Sequence, residues 1–402
     1  MNVKKLLASI ISLMIISTVV HAADNQSAKY VRLLSRNAAT DSIDSVYFNP
    51  AGTAFLQKGS HIQLNGQTVR LRYSYELKSK KYTMTNWVPF IPSAYVGYNG
   101  GNWAVFAGYS IPQGGGDLKW DSIKVSNRID NPTGGPPEKI DVILDGESEG
   151  ESSTHMLSYG ASYAFSPIIA VGARFDISLA SAKYEASQKG RNLDGSSFNY
   201  GGELARSGYG FGGALGVHVR LNEEINASLT VESTQKVKLH IDEESHSEGN
   251  KSVLDGLKTG TPDEADTPWV IRAGLSYTSP FGLEIPISFK YSFWEALDTE
   301  NNKDIITAAV GFRYWPTKEL ELSLGGSYAN GNKKDKALDG TFLDPELESF
   351  TIGTGIGLEI FDNFNIDVGF LYPFYLEADG KALYKKLNKQ VVNISLGVGY
   401  IF

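Results

Sequence analysis

The sequence predicts an all-β protein whose fourteen antiparallel strands close into a transmembrane β-barrel. Three observations predict this fold class. Apolar and polar residues alternate with a period of two from Gly59 to Phe402, no stretch after the N-terminus approaches 18 apolar residues, and short connectors alternate with long ones. A chain that crosses a bilayer without apolar helices can pair all its backbone groups only as a closed barrel.

The alternation is clearest at the C-terminal end of the chain. Between residues 392 and 402, six apolar or aromatic residues are separated by small and polar ones, and the last residue is Phe402. The same pattern recurs along the chain and predicts fourteen strands. These lie near residues 60–77, 92–99, 103–111, 154–165, 168–182, 208–220, 226–241, 268–278, 283–297, 304–315, 319–329, 348–360, 364–378 and 389–402.

The connectors predict which way the barrel faces. Tight turns such as Ser166-Pro167 alternate with long connectors near residues 78–91, 112–153, 183–207, 242–267, 330–347 and 379–388. Short turns on one rim and long loops on the other are typical of bacterial outer-membrane barrels. A soluble sandwich of this length would need two or more domains, and no linker interrupts the chain after residue 59.

The first 22 residues have the layout of a secretory signal peptide. Lys4 and Lys5 precede a 15-residue apolar run, and small residues stand before a cut after Ala22. Their removal leaves 35 basic and 45 acidic side chains, a balance that argues against nucleic-acid binding. The chain has no cysteine, so its stability in an oxidising compartment must come from packing and hydrogen bonds. The predicted location is the bacterial outer membrane.

The sequence predicts three segments: a signal peptide over residues 1–22, an N-terminal plug or hatch over residues 23–58 and a barrel over residues 59–402. Residues 23–58 are too few for a domain with its own core. Fourteen strands enclose more space than their own side chains fill, since about eight already do so. We therefore expect the charged and small residues of this segment to fill the lumen.

Two stretches resemble the FadL family of outer-membrane transport proteins for long-chain fatty acids and hydrocarbons. RNAATDSIDSVYFNPAGTAFL, from Arg36 to Leu56, is similar to the N-terminal signature of that family. VGFRYWPTKELELSLGGSY, from Val310 to Tyr328, is similar to a strand, turn and strand near its C-terminus. The resemblance covers the layout of the chain from the signal peptide to the terminal aromatic residue.

The resemblance implies a 14-stranded barrel with a hatch inside the lumen that carries the motif Asn49-Pro50-Ala51-Gly52. It also implies passive diffusion of a hydrophobic ligand, with lateral release into the membrane through a kink in the third strand and without ATP. In this sequence the candidates for that lateral gate are Phe106, Gly108 and Pro112, because glycine permits a bulge and proline cannot donate to a ladder.

A fatty-acid cargo would need a cation for its carboxylate. The candidates on inward positions of the predicted strands are Arg174, Arg272, Lys290 and Arg313. Pairing with acidic residues such as Asp44, Glu321 and Asp367 is the competing use of these cations.

The sequence indicates no enzyme, no cofactor and no metal site. Its six histidines are scattered, and the acidic loop around His240 and His246 is typical of a solvated surface. His155 and His218 lie near strand ends, but the sequence names no hydroxyl partner for either, so the Ser–His pair of an outer-membrane lipase is not indicated.

The predicted function is passive transport of hydrophobic molecules across the outer membrane. The expected partners are the lipid bilayer, a hydrophobic small molecule and the outer-membrane barrel assembly machinery. One alternative keeps the fold but assigns a role as a secretion or assembly partner, which would suit the polar long connectors. General porin function is a third hypothesis and requires an open water path past the N-terminus.

Overall fold

The structure, a computed structural model, describes residues 24–77, 80–130, 139–191, 197–247, 254–255, 257–258, 263–298, 302–331, 347–361, 363–376 and 387–402. The predicted signal peptide lies outside these residues.

Fifteen strand segments form one antiparallel sheet. They are β1 (Gly59–Leu77), β2 (Lys80–Asn99), β3 (Trp103–Asp130), β4 (Lys139–Ala164), β5 (Ile169–Arg191), β6 (Ser197–Arg220), β7 (Ile225–Glu232), β8 (His240–His246), β9 (Val270–Thr278), β10 (Leu283–Ser292), β11 (Ile305–Tyr314), β12 (Leu320–Ala329), β13 (Ser349–Ile360), β14 (Phe364–Tyr375) and β15 (Leu387–Ile401).

The sheet closes on itself into a barrel. The first and last strands pair from His61 with Ile401 to Tyr75 with Leu387, and β5 pairs with β6 along its full length. β7 pairs with residues 214–220 of β6, and β8 pairs with residues 202–207 of the same strand. β7 and β8 therefore lie end to end and together count as one strand of the wall. The barrel therefore has fourteen strands, and the predicted fold class is confirmed.

Four short helical segments lie wholly within the described residues: α1 (Ala28–Leu33), α2 (Ser45–Phe48) and two 3₁₀ helices at Pro50–Phe55 and Trp294–Ala296. Ser27 caps α1, since its Oγ accepts a hydrogen bond from the Tyr30 backbone N–H at 3.1 Å. Leu34 ends it with a φ of 59°, and its N–H donates to the Tyr30 carbonyl. None of the described helices has the length and apolarity that a membrane-spanning helix requires.

The two faces of the wall carry opposite chemistry. Outward side chains are apolar and exposed, with Leu215 70% and Phe211 54% exposed, whereas the inward Asp367 and Asp176 are 1% and 0% exposed. This inverts the arrangement of a soluble protein and fits a wall that meets lipid outside and polar groups inside.

Three predicted loops are in fact strands. Residues 78–91, 112–153 and 183–207 were expected to be long connectors, but β2 to β6 run through most of them and pair in ladders, as between Glu185 and Glu203. Beyond the apolar band the outward side chains become polar, as at Lys183 and Glu185, while the inward Tyr184 and Leu204 are buried in an apolar cluster. The chemistry of the two faces is thus reversed while the backbone ladder continues.

One predicted strand is interrupted. Residues 226–241 were expected to be continuous, but β7 ends at Glu232 and β8 begins at His240. The intervening Val237 and Leu239 are buried against Ala180 and Ala265 rather than exposed on the wall. Alternation alone did not reveal that these residues leave the wall.

Candidate functional site

The N-terminal segment, Asp24 to Lys58, lies against inward-facing residues on both sides of the barrel. α1 contacts β1 and β11 to β15, and the 3₁₀ helix Pro50–Phe55 contacts β3 to β6. Tyr30 stacks on Phe48 with ring centroids 5.3 Å apart, which joins the two parts of the segment. The segment thus crosses the lumen from one wall to the other.

The Asn49-Pro50-Ala51-Gly52 motif starts the 3₁₀ helix. Asn49 Oδ1 accepts a hydrogen bond from the Ala51 N–H at 3.0 Å, and Asn49 Nδ2 donates to the Val217 carbonyl of β6 at 3.2 Å. Proline at the first helical position needs no hydrogen-bond partner for its nitrogen. The asparagine therefore caps the helix and fastens it to the wall.

Glycines in the wall make room for this motif. A Cβ on Gly172 of β5 would stand 2.5 Å from the Ala51 nitrogen and 2.6 Å from the Pro50 carbonyl carbon. Both are backbone atoms, which cannot move aside as a side chain would. Close approach of the motif to the wall thus requires glycine at this position.

α1 is anchored by a buried arginine that the sequence analysis did not single out. Arg32 is fully buried and pairs with Glu321 of β12 and, at 2.7 Å, with Asp367 of β14. Arg313 of β11 shares Glu321 at 3.0 Å and reaches Asp41 of the N-terminal segment at 2.9 Å. Three strands and the N-terminal segment are joined by one network of charges.

A second network lies on the neighbouring strands β9 and β10. Asp24 accepts from Arg272 at 2.8 Å and from Lys290 at 2.7 Å. Burial alone would raise the pKa of Asp24, but these two cations outweigh it and hold that pKa well below its ordinary value. Asp24 is therefore ionised at neutral pH.

All four predicted ligand cations are in ion pairs. Arg174 pairs with Asp176 at 2.9 Å and donates to the Tyr47 carbonyl at 2.5 Å, so it holds the N-terminal segment. Arg313 pairs with Glu321 and Asp41, whereas Arg272 and Lys290 pair with Asp24 as above. Of the four, Arg272 and Lys290 line the cavity described next. Their binding of a ligand carboxylate stays a prediction.

A cavity of about 260 Å³ lies between the N-terminal segment and the wall. Its lining combines apolar side chains with a smaller number of polar and charged ones, the composition of sites for small organic ligands. Representative lining residues are Leu34, Leu71, Val88, Ile91, Leu371 and Val391 on the apolar side and Gln67, Gln113 and Lys290 on the polar side.

The ladder between β2 and β3 breaks beside this cavity. The two strands pair only between residues 94–99 of β2 and 104–109 of β3. Both strands are longer than this paired part, since β2 begins at Lys80 and β3 ends at Asp130. In the described residues the extra length of β2 does not pair with that of β3. Val88 and Ile91 of β2 and Pro112 of β3 line the cavity at the break. The cavity thus reaches the wall where the ladder is interrupted, and there the side chain of Gln26 bonds both backbone groups of Ile111, at 3.0 and 3.1 Å.

Prolines account for the break. Pro112 of β3 has no N–H to donate, and neither have Pro89 and Pro92 of β2. Of these three prolines only Pro112 was a predicted gate residue, because the alternation of apolar and polar residues places the start of β2 at residue 92. Just past the break, β3 shifts its register with β4, and Gly114 has a φ of 73°.

The other two gate candidates, Phe106 and Gly108, precede the break along β3. Phe106 is 5% exposed and packs in a cluster with Ile43, Val46 and Phe48 of the N-terminal segment. A Cβ on Gly108 would stand 2.9 Å from the ring of Tyr95. Both residues contact the inside of the barrel, and their gate role stays a prediction.

Ser153 and His155 form a pair on the barrel exterior that the sequence did not reveal. Ser153 Oγ is 3.1 Å from His155 Nε2, and the Tyr109 hydroxyl is 2.7 Å from His155 Nδ1. A hydrolase would place a carboxylate at Nδ1 to orient the imidazole. Here a tyrosine occupies that position, so the arrangement lacks the acid of a triad. No cluster of three metal-ligating side chains occurs among the described residues.

The sequence matches no protein-family model, and the search of curated proteins finds no match. The fold has solved relatives. The Pseudomonas putida toluene transporter TodX superposes with a TM-score of 0.65 at 14% identity, covering 90% of this chain and 94% of that one. A Pseudomonas aeruginosa FadL homologue gives 0.64 at 14% identity, covering 94% and 98%. The monoaromatic hydrocarbon channel CymD gives 0.57 at 12% identity, covering 96% and 99%. The chain therefore shares its complete barrel fold with FadL-type transporters and channels.

Proposed function

We propose that this protein lets small, uncharged hydrophobic molecules diffuse passively across the bacterial outer membrane. The observation that carries the proposal is the cavity, which is enclosed by the N-terminal segment and reaches the open ladder between β2 and β3. The shared fold with a toluene transporter and a monoaromatic hydrocarbon channel supports it. The signal peptide and the apolar exterior support the location, and a barrel in that membrane requires the assembly machinery for such barrels.

The charges in the lumen favour an uncharged cargo. Arg272 and Lys290 line the cavity, but both already pair with Asp24, which is itself buried. A fatty-acid carboxylate would have to displace that aspartate and leave it without a partner, which costs several kcal/mol for a buried ion. A neutral aromatic molecule requires no such exchange.

In this proposal the N-terminal segment is the hatch. Its hydrogen bonds and ion pairs reach β5, β6, β11, β12 and β14, so it obstructs a straight water path along the barrel axis. This argues against general porin function. The enclosed cavity favours transport over the alternative of a secretion or assembly partner, which needs no internal ligand site.

Release is lateral, through the break between β2 and β3. An apolar molecule gains about 0.8 kcal/mol for each CH₂ equivalent that it removes from water, so leaving the cavity for lipid is downhill whereas leaving into the periplasm is not. Pro112 lies at the exit. Phe106 and Gly108 precede it along β3 and lie against the hatch.

Filling the cavity tests the proposal. Ile91 is 4% exposed and lines the cavity at the exit, so Ile91→Trp should abolish uptake of radiolabelled toluene into cells that carry the protein. Val96 lies on the same strand but faces outward at 45% exposure, so Val96→Trp is the matched control and should leave uptake unchanged. Equal uptake by the wild type and Ile91→Trp, with both variants folded, would overturn the proposal.

A further inference from the structure

The wall of the barrel has a second break, between β6 and the position shared by β7 and β8. β6 pairs with β7 up to Ala214 and Glu232, and with β8 from Ser207 and His240 onward. Between those pairs, residues 208–213 of β6 keep their partners on β5, from Ala180 to Phe175. On the other side, Ser233 still donates its N–H to the Gly213 carbonyl at 2.9 Å, and the chain leaves the ladder after it.

The displaced chain lies inside the barrel. Residues 233–239 pair with residues 263–267 through bridges at Gln235 with Thr267 and Lys238 with Glu264. We name these two stretches together the inner flap. Val237 and Leu239 are 1% and 7% exposed and pack on Ala180 of β5. The flap therefore covers the inner face of β5 and β6.

Alternate residues of β6 are glycines where the flap lies. A Cβ on Gly210 would stand 2.6 Å from Val237 Cγ2 and 2.7 Å from the Lys236 carbonyl oxygen. Gly208 and Gly212 likewise face Lys238 and Gln235 at distances too short for a Cβ. The inward position of the flap thus depends on a wall without side chains.

The flap has the length to return to the wall. Six residues of β6, 208–213, face seven residues, 233–239, so a flat strand would complete the ladder with a single bulged residue. The chain between β7 and β8 also alternates as a strand does, with Gln235, Val237 and Leu239 on one phase and Lys236 and Lys238 on the other. Two arrangements are therefore open to the same residues.

The flap also borders the ligand cavity. Ser233, Gln235 and Thr267 line it on the side of the long hairpins, opposite Asp24 and Tyr30 of the N-terminal segment. Gln235 accepts a hydrogen bond from Ser178 and lies 3.8 Å from Met156 Sδ, both on the wall. The N-terminal segment thus borders the cavity on one side and the flap borders it on another.

We propose that the inner flap is the outer gate of the cavity: it closes the cavity while it lies on Gly208, Gly210 and Gly212, and opens it when residues 233–239 enter the wall beside β6. The gate rests on the proposed function and deepens it by giving a hydrophobic molecule its entrance from the outer side. Its first test, thiol labelling of the cavity, involves no cargo, so its failure and the failure of the transport proposal are distinguishable.

The test measures access to the cavity from outside. The chain contains no cysteine, so Thr307→Cys on the cavity wall gives a single reporter thiol. A charged methanethiosulfonate reagent that does not cross membranes is added to intact cells, and its rate of reaction is measured. In this background Gly210→Ala should raise the labelling rate about tenfold. The added methyl group overpacks the inward position of the flap, and overpacking of this kind typically shifts an equilibrium, here that between the inward and the wall position, by about that factor.

Gly326→Ala is the matched control, since a Cβ there would meet nothing within 4 Å. It should leave the rate unchanged. A second variant tests the opposite direction. In a chain without the reporter, Ala180→Cys with Leu239→Cys joined by a short thiol crosslinker should hold the flap inward and abolish toluene uptake, whereas Ala180→Cys alone should not. Equal labelling rates for the Thr307→Cys protein with and without Gly210→Ala, or full uptake by the crosslinked protein, would overturn the proposal.

Discussion

The N-terminal segment and the inner flap both border the cavity, but different chemistry holds each of them in place. The N-terminal segment is fastened by buried ion pairs and hydrogen bonds to the wall, as at Arg32 with Asp367 and Arg174 with the Tyr47 carbonyl. The inner flap rests on glycines and is held by Val237, Leu239, the hydrogen bond from Ser178 to Gln235 and a few backbone hydrogen bonds. Several charged pairs must break together to release the segment, whereas the flap can move by giving up apolar contacts and uncharged hydrogen bonds. The comparison suggests a firm inner closure and a looser outer one.

The largest expected effect comes from removing the anchor of α1. Arg32→Met leaves Asp367 buried without this cation, and breaking a buried pair in this way costs about 3–5 kcal/mol. We expect faster amide hydrogen exchange in α1 and ion conductance in a planar bilayer where the wild type shows little.

Lys183→Met is the control for that variant. Lys183 pairs with Glu185 and Glu203, but its side chain is 48% exposed, so solvent screens the pair and its loss should change neither measurement. A large steady conductance of the wild-type protein would contradict the firm inner closure.

A smaller effect is expected at the flap. Val237→Ala removes two buried methyl groups and should weaken the inward position by about 1–2 kcal/mol. Labelling of the Thr307→Cys reporter should then accelerate, while amide exchange in α1 stays unchanged. Val231→Ala, on β7 and outside the flap, is the control. Slower labelling of the Val237 variant would show that its side chain does not hold the flap inward.

The smallest effect is expected from pH. Asp24 and Asp41 of the N-terminal segment have pKa values held well below the ordinary 3.8 by their cations, although burial opposes this. A depressed folded pKa contributes stability that is fully present above the unfolded pKa and is lost only as pH falls through the folded value. Amide exchange of the segment, corrected for its intrinsic pH dependence, should therefore be constant from pH 8 to about pH 4. Release near pH 6 would show that other groups control the segment.

The spanning part of the fold could be predicted from the sequence because lipid on one side and polar groups on the other impose a period of two. Where that contrast ends, the prediction failed. The ladders of β3 to β6 continue beyond the apolar band, where β5 and β6 carry their charges outside and buried apolar residues inside, and the flap keeps a strand-like pattern after it has left the wall. The alternation of apolar and polar residues indicates which side chains avoid water, but not whether they contact lipid or other parts of the protein.

The site was predicted less completely than the fold. The Asn49 motif could be recognised because its role depends on neighbouring residues alone: Asn49 caps a helix and Pro50 starts it. Arg32 is 289 residues away from Glu321 and 335 from Asp367 along the chain, so no local pattern joins them. The competing use of the four predicted cations, pairing with acidic groups, is the arrangement that the structure shows.

The glycines beneath the motif and the flap limit how such barrels can be recombined. Gly172 fits the backbone at Pro50 and Ala51, and Gly208, Gly210 and Gly212 fit the flap, so each inner segment matches one set of bare positions in its own wall. A related barrel with ordinary side chains at those positions would reject a grafted N-terminal segment, however similar its motif. Chimeras between such transporters should therefore succeed only when a segment is exchanged together with the strands that it lies on.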